Sequence, residues 1–290
     1  MKILFIANPT SEKIDKQEVE KIFSEYAEQY KFSWKTYYTE KQGTSEKIQN
    51  KIREFKPDLV IVAGGDGTIN LVGKLLLNSP VEIGIIPAGS ANGLAYNLDI
   101  PNVFKEALHK SLEAKAKPFD VIRINREYLC LHLGDVGINA QTVKRFEKEK
   151  SKGMLGYGKH MTKELWAKKP AFSFYLSTQG HKKKYTAEML VLANAKAYGT
   201  GATINQDGKT DDGKFEIIII KPYPWWSLLR LIRFLFIGKN YHVDFVKVIS
   251  ASKANIQFSK PQDLQADGEM IEAVSEIQAE ILPSALKIRY

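Results

Sequence analysis

The sequence predicts an α/β domain built on a parallel sheet, followed by a second domain of antiparallel β-strands. Three observations carry that prediction. The chain has 290 residues, more than one hydrophobic core usually holds and enough for two. Its first third alternates short apolar runs with amphipathic stretches, the rhythm of strands separated by helices, and such strands pair in parallel with both faces covered. Beyond about Lys117-Pro118 the rhythm changes to strand-like runs with fewer helical segments between them.

Taken in order, Ile3-Leu4-Phe5-Ile6 reads as a strand, Glu18 to Tyr30 as a helix and Ser33 to Tyr38 as a strand. Ser45 to Phe55 then reads as a helix and Leu59-Val60-Ile61-Val62 as a buried strand. A helix follows from Ile69 to Leu77, then a strand over Glu82 to Ile86 and a helical stretch over Leu94 to Asn97. In the second domain Phe172 to Leu176, Met189 to Ala193, Phe215 to Ile220 and Ile277 to Leu282 are strand-like. Two helical insertions are expected there, Ala140 to Lys168 and Trp225 to Ile237. The boundary falls near Pro118 to Asp120, which makes residues 1–119 one domain and 120–290 the other.

The composition, 44% hydrophobic and 26% charged, excludes disorder, collagen-like repeats and coiled coil. The single cysteine, Cys130, lies in the apolar run Tyr128 to Leu133, so neither a disulfide nor a zinc cluster is expected, only a small buried residue. The apolar start ends at Asn8-Pro9, too short for a signal peptide, and the expected compartment is the cytoplasm. A formal charge of +9 favours an anionic partner, and between Lys144 and Lys184 twelve Lys/Arg face three Glu and no Asp, so the excess is concentrated there. Trp225 to Ile237 is too short and too charged to span a bilayer; it suits either an interface helix or one packed on the second domain.

Chemistry is concentrated in the loops after the strands. Gly64-Gly65-Asp66-Gly67-Thr68 sits at a strand-to-helix turn, where glycines let a phosphate approach converging backbone N–H groups beside a helix N-terminus. An acid among those glycines would repel an anion unless a cation bridges them. Asp66 therefore suggests a magnesium ligand, a base for an incoming hydroxyl, or, more simply, a helix cap. Neither the Walker A pattern nor G-x-G-x-x-G is present. The next strand ends in Pro87-Ala88-Gly89-Ser90-Ala91-Asn92-Gly93, where Ser90 and Asn92 can contact phosphate or substrate, or cap a helix.

Together, Gly64-Gly65-Asp66-Gly67-Thr68-Ile69-Asn70 and Pro87-Ala88-Gly89-Ser90-Ala91-Asn92 resemble the paired signatures of the diacylglycerol kinase catalytic-domain family, which includes bacterial lipid kinases and sphingosine kinases. Asn8-Pro9-Thr10-Ser11, Thr39, the segment Gly134 to Ala140 and Asp267-Gly268-Glu269 extend the resemblance along the chain. The resemblance implies an NAD kinase-like N-terminal domain that binds nucleotide and a C-terminal antiparallel β-sandwich that takes a lipid substrate. It implies ATP and Mg2+ as cofactors, held in a cleft between the domains. Asn8, Thr10 and Thr39 would lie near base and sugar, and Gly65, Gly67, Thr68 and Ser90 around the phosphates, with Arg145 helping. Asp66 and Glu269 would be the catalytic pair and would hold magnesium through water.

The chain departs from the family pattern at Leu71, where Glu is common, at Gly93, where bacterial diacylglycerol kinases have Asp, and at Asn139 in place of an Asp. Glu12-Lys13 replace the usual glycines of the opening motif, and Glu216 replaces an Asp that, with Asp211-Asp212-Gly213, holds a structural magnesium in some relatives. The loss of a carboxylate at Asn139 disfavours a cationic amino-lipid, leaving a diacylglycerol-like acceptor and a role in phospholipid metabolism. The expected partners are a lipid substrate and, transiently, a membrane surface, with the protein peripheral to it; nucleic acid is not expected, and a homodimer stays open. The alternatives are an NAD kinase-like phosphotransferase acting on a soluble nucleotide and a nucleotide-binding regulator without turnover.

Overall fold

In the computed structural model, which describes residues 1–9, 14–40, 44–137, 171–196, 203–227, 230–231 and 243–290, the apolar runs of the first third become one parallel sheet. Its strands are β1 (Lys2–Ala7), β2 (Ser33–Tyr38), β3 (Leu59–Gly64) and β4 (Glu82–Pro87), in the order β4-β3-β1-β2. All of β3, and β1 beyond Lys2, is buried, which is why these two read as uninterrupted apolar runs. The chain leaves β1 for β2 on one side and returns past β1 to β3 on the other. That reversal places a topological switch point between β1 and β3, where sheets of this kind bind ligands at the strand carboxyl ends.

The helices are α1 (Lys16–Tyr30), α2 (Thr44–Phe55), α3 (Asp66–Leu75), α4 (Gly93–Asn97) and α5 (Phe104–Glu113). Asp15 starts α1 by accepting from the N–H groups of Gln17 and Glu18 at 2.8 and 3.0 Å. Val19, Ile22 and Phe23 form its buried face. The Phe23 ring packs 4.7 Å from that of Phe5 and 5.0 Å from that of Trp34, centroid to centroid, seating the helix on β1 and β2.

The chain divides into two units, Met1–Phe119 with Ser284–Tyr290, and Asp120–Pro283. The last seven residues differ from the sequence expectation, which ran the second domain to residue 290. They end the long strand β14 (Glu269–Arg289), and there Ile288 lies opposite Ile83 in parallel. Apolar burial explains the return: Ala285, Leu286 and Ile288 are at most 1% exposed. Covering the outer edge of β4 also removes a row of unpaired backbone groups. Arg289 secures the end, paired with Glu82 at 2.5 Å and donating to the Leu112 carbonyl at 2.8 Å and the Ser111 carbonyl at 3.3 Å, at the last turn of α5.

The second unit is antiparallel, as expected. Its strands are β5 (Ala116–Ile124), β6 (Tyr128–Cys130), β7 (Leu133–Gly137), β8 (Phe172–Thr178), β9 (His181–Ala187), β10 (Met189–Ala193), β11 (Phe215–Ile220), β12 (Val246–Ala251) and β13 (Lys253–Ala266), with most of β14. One row runs β12-β11-β10-β7-β13-β14; β8 pairs with β13 and β9, and β5 with β14 and β6. Register shifts between Gln257 and Leu264 let β13 serve both sets, pairing with β8 through its first half and β7 through its second. A sandwich results. One core joins Phe172, Phe174 and Leu176 to Leu190, Leu192, Ile217, Ile219 and Ile277. The other faces of β10 and β11 bury Met189, Val191, Ile218 and Ile220 with Leu231 and Val243. Both strands are thus covered on both faces.

The insertion expected over Ala140 to Lys168 lies outside the described residues. Of the one expected over Trp225 to Ile237, Trp225–Ser227 form a single 3-10 turn, and Trp226 is exposed while Leu231 is fully buried; residues 228–229 and 232–237 lie outside. Among the described residues no helix is long and apolar enough to cross a membrane.

Glu216, on β11, accepts from Asn205 Nδ2 at 2.6 Å and Ser250 Oγ at 3.2 Å. Burial is the stronger influence and raises its carboxyl above the ordinary glutamate value against those bonds. The folded state therefore holds this proton more tightly than the unfolded chain does. The stabilising contribution is complete below the unfolded value and is lost as pH rises through the folded one. Glu216→Gln should flatten the stability profile across that window, measured by urea unfolding between about pH 4 and 7; an unchanged slope would reject the assignment. Arg289→Met should lower stability by roughly 1–3 kcal/mol, because it strands the Glu82 carboxylate, and thermal unfolding reads that loss.

Candidate functional site

The loops expected to carry chemistry line up along the carboxyl ends of the parallel strands. Asn8 follows β1 and donates its N–H to the Ala63 carbonyl at 3.0 Å, closing the mouth of the switch point, while Thr39 follows β2 and donates its N–H to the Ala7 carbonyl at 2.8 Å. Gly65 to Thr68 follow β3, and Ser90 follows β4. Across the sheet the sequence is therefore Ser90, then Gly65 to Thr68, then Asn8, then Thr39, four neighbouring strand ends spanning roughly 14 Å at about 4.8 Å per strand.

The β3 and β4 loops touch backbone to backbone. A Cβ built on Gly89 would lie 2.3 Å from the Gly65 Cα, and one on Gly65 would lie 3.1 Å from the Gly89 Cα. Only glycine permits that approach. The Ala88 N–H donates to the Gly64 carbonyl at 2.9 Å. Asn92, in the left-handed region at φ 52°, brackets the Gly89 residue: its Oδ1 accepts from the Gly89 N–H at 2.8 Å and its Nδ2 donates to the Gly89 carbonyl at 2.9 Å.

Asp66 completes the clamp. Its two carboxylate oxygens accept from the N–H groups of Gly93 and Leu94 at 2.9 and 3.0 Å. It therefore caps a helix, but that helix is α4, across the loops, and not α3, which it begins. Asp66 remains half-buried, and a carboxylate oxygen that accepts one hydrogen bond keeps further acceptor capacity. Gly67 is exposed with nothing within 4 Å of a built Cβ, and Ser90 is exposed beside it in the sheet order. Thr68 is held against Gly64, whose Cβ would meet the Thr68 Cβ at 2.7 Å. The first amides of a helix have no partner within it and favour an anion, so the open surface at Gly67 suits a phosphate.

Among the described residues no group of three or more His, Cys, Asp and Glu gathers into a metal cage. Magnesium does not need one, since it commonly binds one or two carboxylates together with substrate phosphates. The half-buried Asp66 carboxylate, a hard oxygen donor beside the open glycine, fits an ion delivered with a phosphate ligand. Thr10 and Arg145, and the Asn139 departure, lie outside the described residues.

Glu269 belongs to the second unit, exposed, as the first residue of β14. The preceding Asp267-Gly268, at φ 49° and 87°, is a two-residue hairpin turn with Ala266 opposite Glu269. Sequence reasoning placed the weight on Glu269 and passed over Asp267. The Asp267 carboxylate accepts from the consecutive N–H groups of Leu131, His132 and Leu133 at 2.6, 2.9 and 3.2 Å. Asp-Gly between two strand-like runs was the available signal for the turn, though nothing in the sequence marks its partner amides. The Cys130 thiol is pushed well above its usual value by burial and then by the Asp267 charge. It is a buried residue and no nucleophile.

Residues 2–124 match the model of the diacylglycerol kinase catalytic domain, and residues 135–290 match that of the YegS C-terminal NAD kinase beta sandwich-like domain. The chain is 26% identical over 272 residues to the diacylglycerol kinase of Bacillus subtilis (strain 168), covering 91% of this chain and 88% of that protein. It is also 26% identical over 255 residues to a Pectobacterium atrosepticum protein named "Probable lipid kinase YegS-like", covering 85% of this chain and 83% of that one. A solved structure described as a diacylglycerol kinase from Bacillus anthracis str. Sterne shares the fold at TM-score 0.82 and 23% sequence identity, covering 100% of this chain and 96% of its own.

Two substitutions separate packing from ligand contact. Gly89→Ala should cost about 1–3 kcal/mol, because the methyl has to push two backbones apart. Gly67→Ala meets open space on a helix and should change stability by less than about 1 kcal/mol. Chemical denaturation of both reads the difference, and equal costs would refute the loop contact.

Proposed function

Because this chain belongs to the diacylglycerol kinase catalytic-domain family, we propose that it is an ATP- and magnesium-dependent lipid kinase acting on a diacylglycerol-like hydroxyl. The observation that carries the reading is the pair of glycine loops in backbone contact, with an open Gly67 and the half-buried Asp66 carboxylate at the strand ends of a parallel sheet. In this reading Asn8 and Thr39 meet base and sugar, while Gly65, Gly67, Thr68 and Ser90 surround the phosphates. Thr10 and Arg145 are assigned to the nucleotide by family resemblance, and Asp66 and Glu269 to magnesium through water.

Phosphoryl transfer asks for positioning and charge neutralisation more than for covalent chemistry. The lipid hydroxyl oxygen bonds to the terminal phosphorus as the bond from that phosphorus to the ADP oxygen breaks, and Asp66 orients the hydroxyl and takes its proton. The amides of Gly93 and Leu94 hold the Asp66 carboxylate in place for that task. Magnesium, when bound, supplies neutralisation of the phosphate charge. A long-chain acceptor stays in its bilayer, so the protein works at a membrane surface from the cytoplasm. The exposed Trp226, with Arg230 also exposed nearby in the chain, supports such a contact.

The purified protein given labelled ATP, magnesium and vesicles carrying diacylglycerol, monoacylglycerol, phosphatidylglycerol, ceramide or sphingosine should label diacylglycerol. Label on NAD in a parallel tube, with none on lipid, would replace this reading with a soluble-nucleotide kinase. Transfer to neither would favour the non-catalytic alternative. Asp66→Asn should lower turnover by about 10²–10⁴-fold. It should also cost about 1–2 kcal/mol, since an amide accepts only through its one oxygen. Retained turnover in the folded variant would remove Asp66 from the chemistry.

A further inference from the structure

The second unit carries a cavity of about 680 Å³ on the outer face of its β9-β8-β13-β14-β5 strands, within the size range of small-molecule sites. The opposite face of these strands is core, with Phe174, Leu176, Ile256 and Ile277. On the outer face Lys182, Ser177, Asn255 and Gln278 lie opposite one another across four strands, a polar floor without apolar cover.

Its charge is one-sided. Arg123, Arg126, Lys182 and Lys253 line it with His181, and Glu280 is the only acid in the lining. Glu280 is committed: Arg123 binds it through Nε and Nη2, and Lys253 Nζ stands 3.6 Å from its other oxygen. The Arg123 hydrogen bond is the main cause that holds the Glu280 carboxyl below the ordinary glutamate range. One carboxylate thus answers two cations. Among the described residues Lys182 has only the neutral Gln257 Oε1, at 3.1 Å, and the Tyr175 ring, at 5.1 Å. Arg126, at φ 63° in the turn between β5 and β6, is exposed and has no ion pair among the described residues.

Three separate segments, the 123–126 turn, the β8–β9 hairpin and the start of β13, therefore bring uncompensated positive charge to one concave surface. Scattered surface lysines repel one another and extend into solvent. Here a surplus is held on a rigid antiparallel floor, where a ligand carrying more than one negative charge collects several charge-assisted hydrogen bonds at once. We propose that this cavity binds a multiply charged phosphate group, carried either by a soluble polyphosphate or by an anionic phospholipid headgroup. The site lies wholly in the second unit, on residues other than those assigned to the reaction, and stands whether or not lipid is the acceptor.

Hydrogen exchange of the full chain tests it without reference to turnover. Inorganic tripolyphosphate, or vesicles of phosphatidic acid against phosphatidylcholine, should slow exchange in peptides covering residues 177–182 and 253–255. The triple variant Arg126→Asn, Lys182→Gln, Lys253→Gln should lose that protection and weaken binding about tenfold or more, the order expected when three partly exposed charge contacts go. All three positions are exposed, and circular dichroism of the variant checks its fold. Protection by tripolyphosphate assigns a soluble ligand, and protection by phosphatidic acid alone assigns a headgroup. Protection by neither, or protection that survives in the folded triple variant, overturns the proposal.

Discussion

The loops after β3 and β4 depend on a carboxylate that binds neither of the turns flanking it in sequence. Asp66 leaves β3 and spends both oxygens on the amides of Gly93 and Leu94, beyond β4. Without that contact the two glycine-rich segments would have only backbone bonds and the Asn92 side chain to order them, and glycine loses more conformational freedom on folding than any other residue. Two charge-assisted bonds, of the kind worth about 1.5–3 kcal/mol each, offset much of that loss. They bring Gly65 and Gly89 into the approach that no side chain could survive.

The same contact settles an electrostatic conflict. An acid beside a phosphate-binding glycine would ordinarily repel the ligand. Here part of the carboxylate's charge is already met by the amides of α4, so Asp66 is oriented with acceptor capacity left over. Being structural and being chemical are not competing roles for this residue. The hydrogen bonds that make it a cap also fix the direction of its carboxylate, as the proposed role of a base requires.

The second unit repeats the device. Asp267 takes three consecutive amides of residues 131–133 and so pins the β13–β14 turn to the β6–β7 connection. Asp120, 1% exposed, accepts the Gly213 N–H at 2.7 Å and holds the approach to β11. Nearby, Gln265 donates to the buried Asp135 and accepts from the Gly268 N–H at 2.8 Å. Acids near glycines serve as backbone anchors throughout, because a deprotonated carboxylate is the side chain best suited to gather several N–H groups at one point.

Much of this was legible in the residues. Uninterrupted apolar runs such as Leu59 to Val62 read as buried parallel strands because burial on both faces leaves no polar alternation. Gly64 to Thr68 read as a strand-to-helix turn because its glycines follow such a strand and precede a helical run. Asp267-Gly268, between two strand-like runs, carries a legible hairpin-turn signal as well. By itself the sequence determined local periodicity, turn chemistry and which loops follow which strands, for these are properties of neighbours along the chain. Only the tertiary structure decided that Asp66 caps α4, that Gly65 meets Gly89, that residues 284–290 return to the edge of β4, and that Arg126, Lys182 and Lys253 share one face. Each of these joins residues distant in sequence, and contact at that range follows from register and packing, which no local pattern encodes.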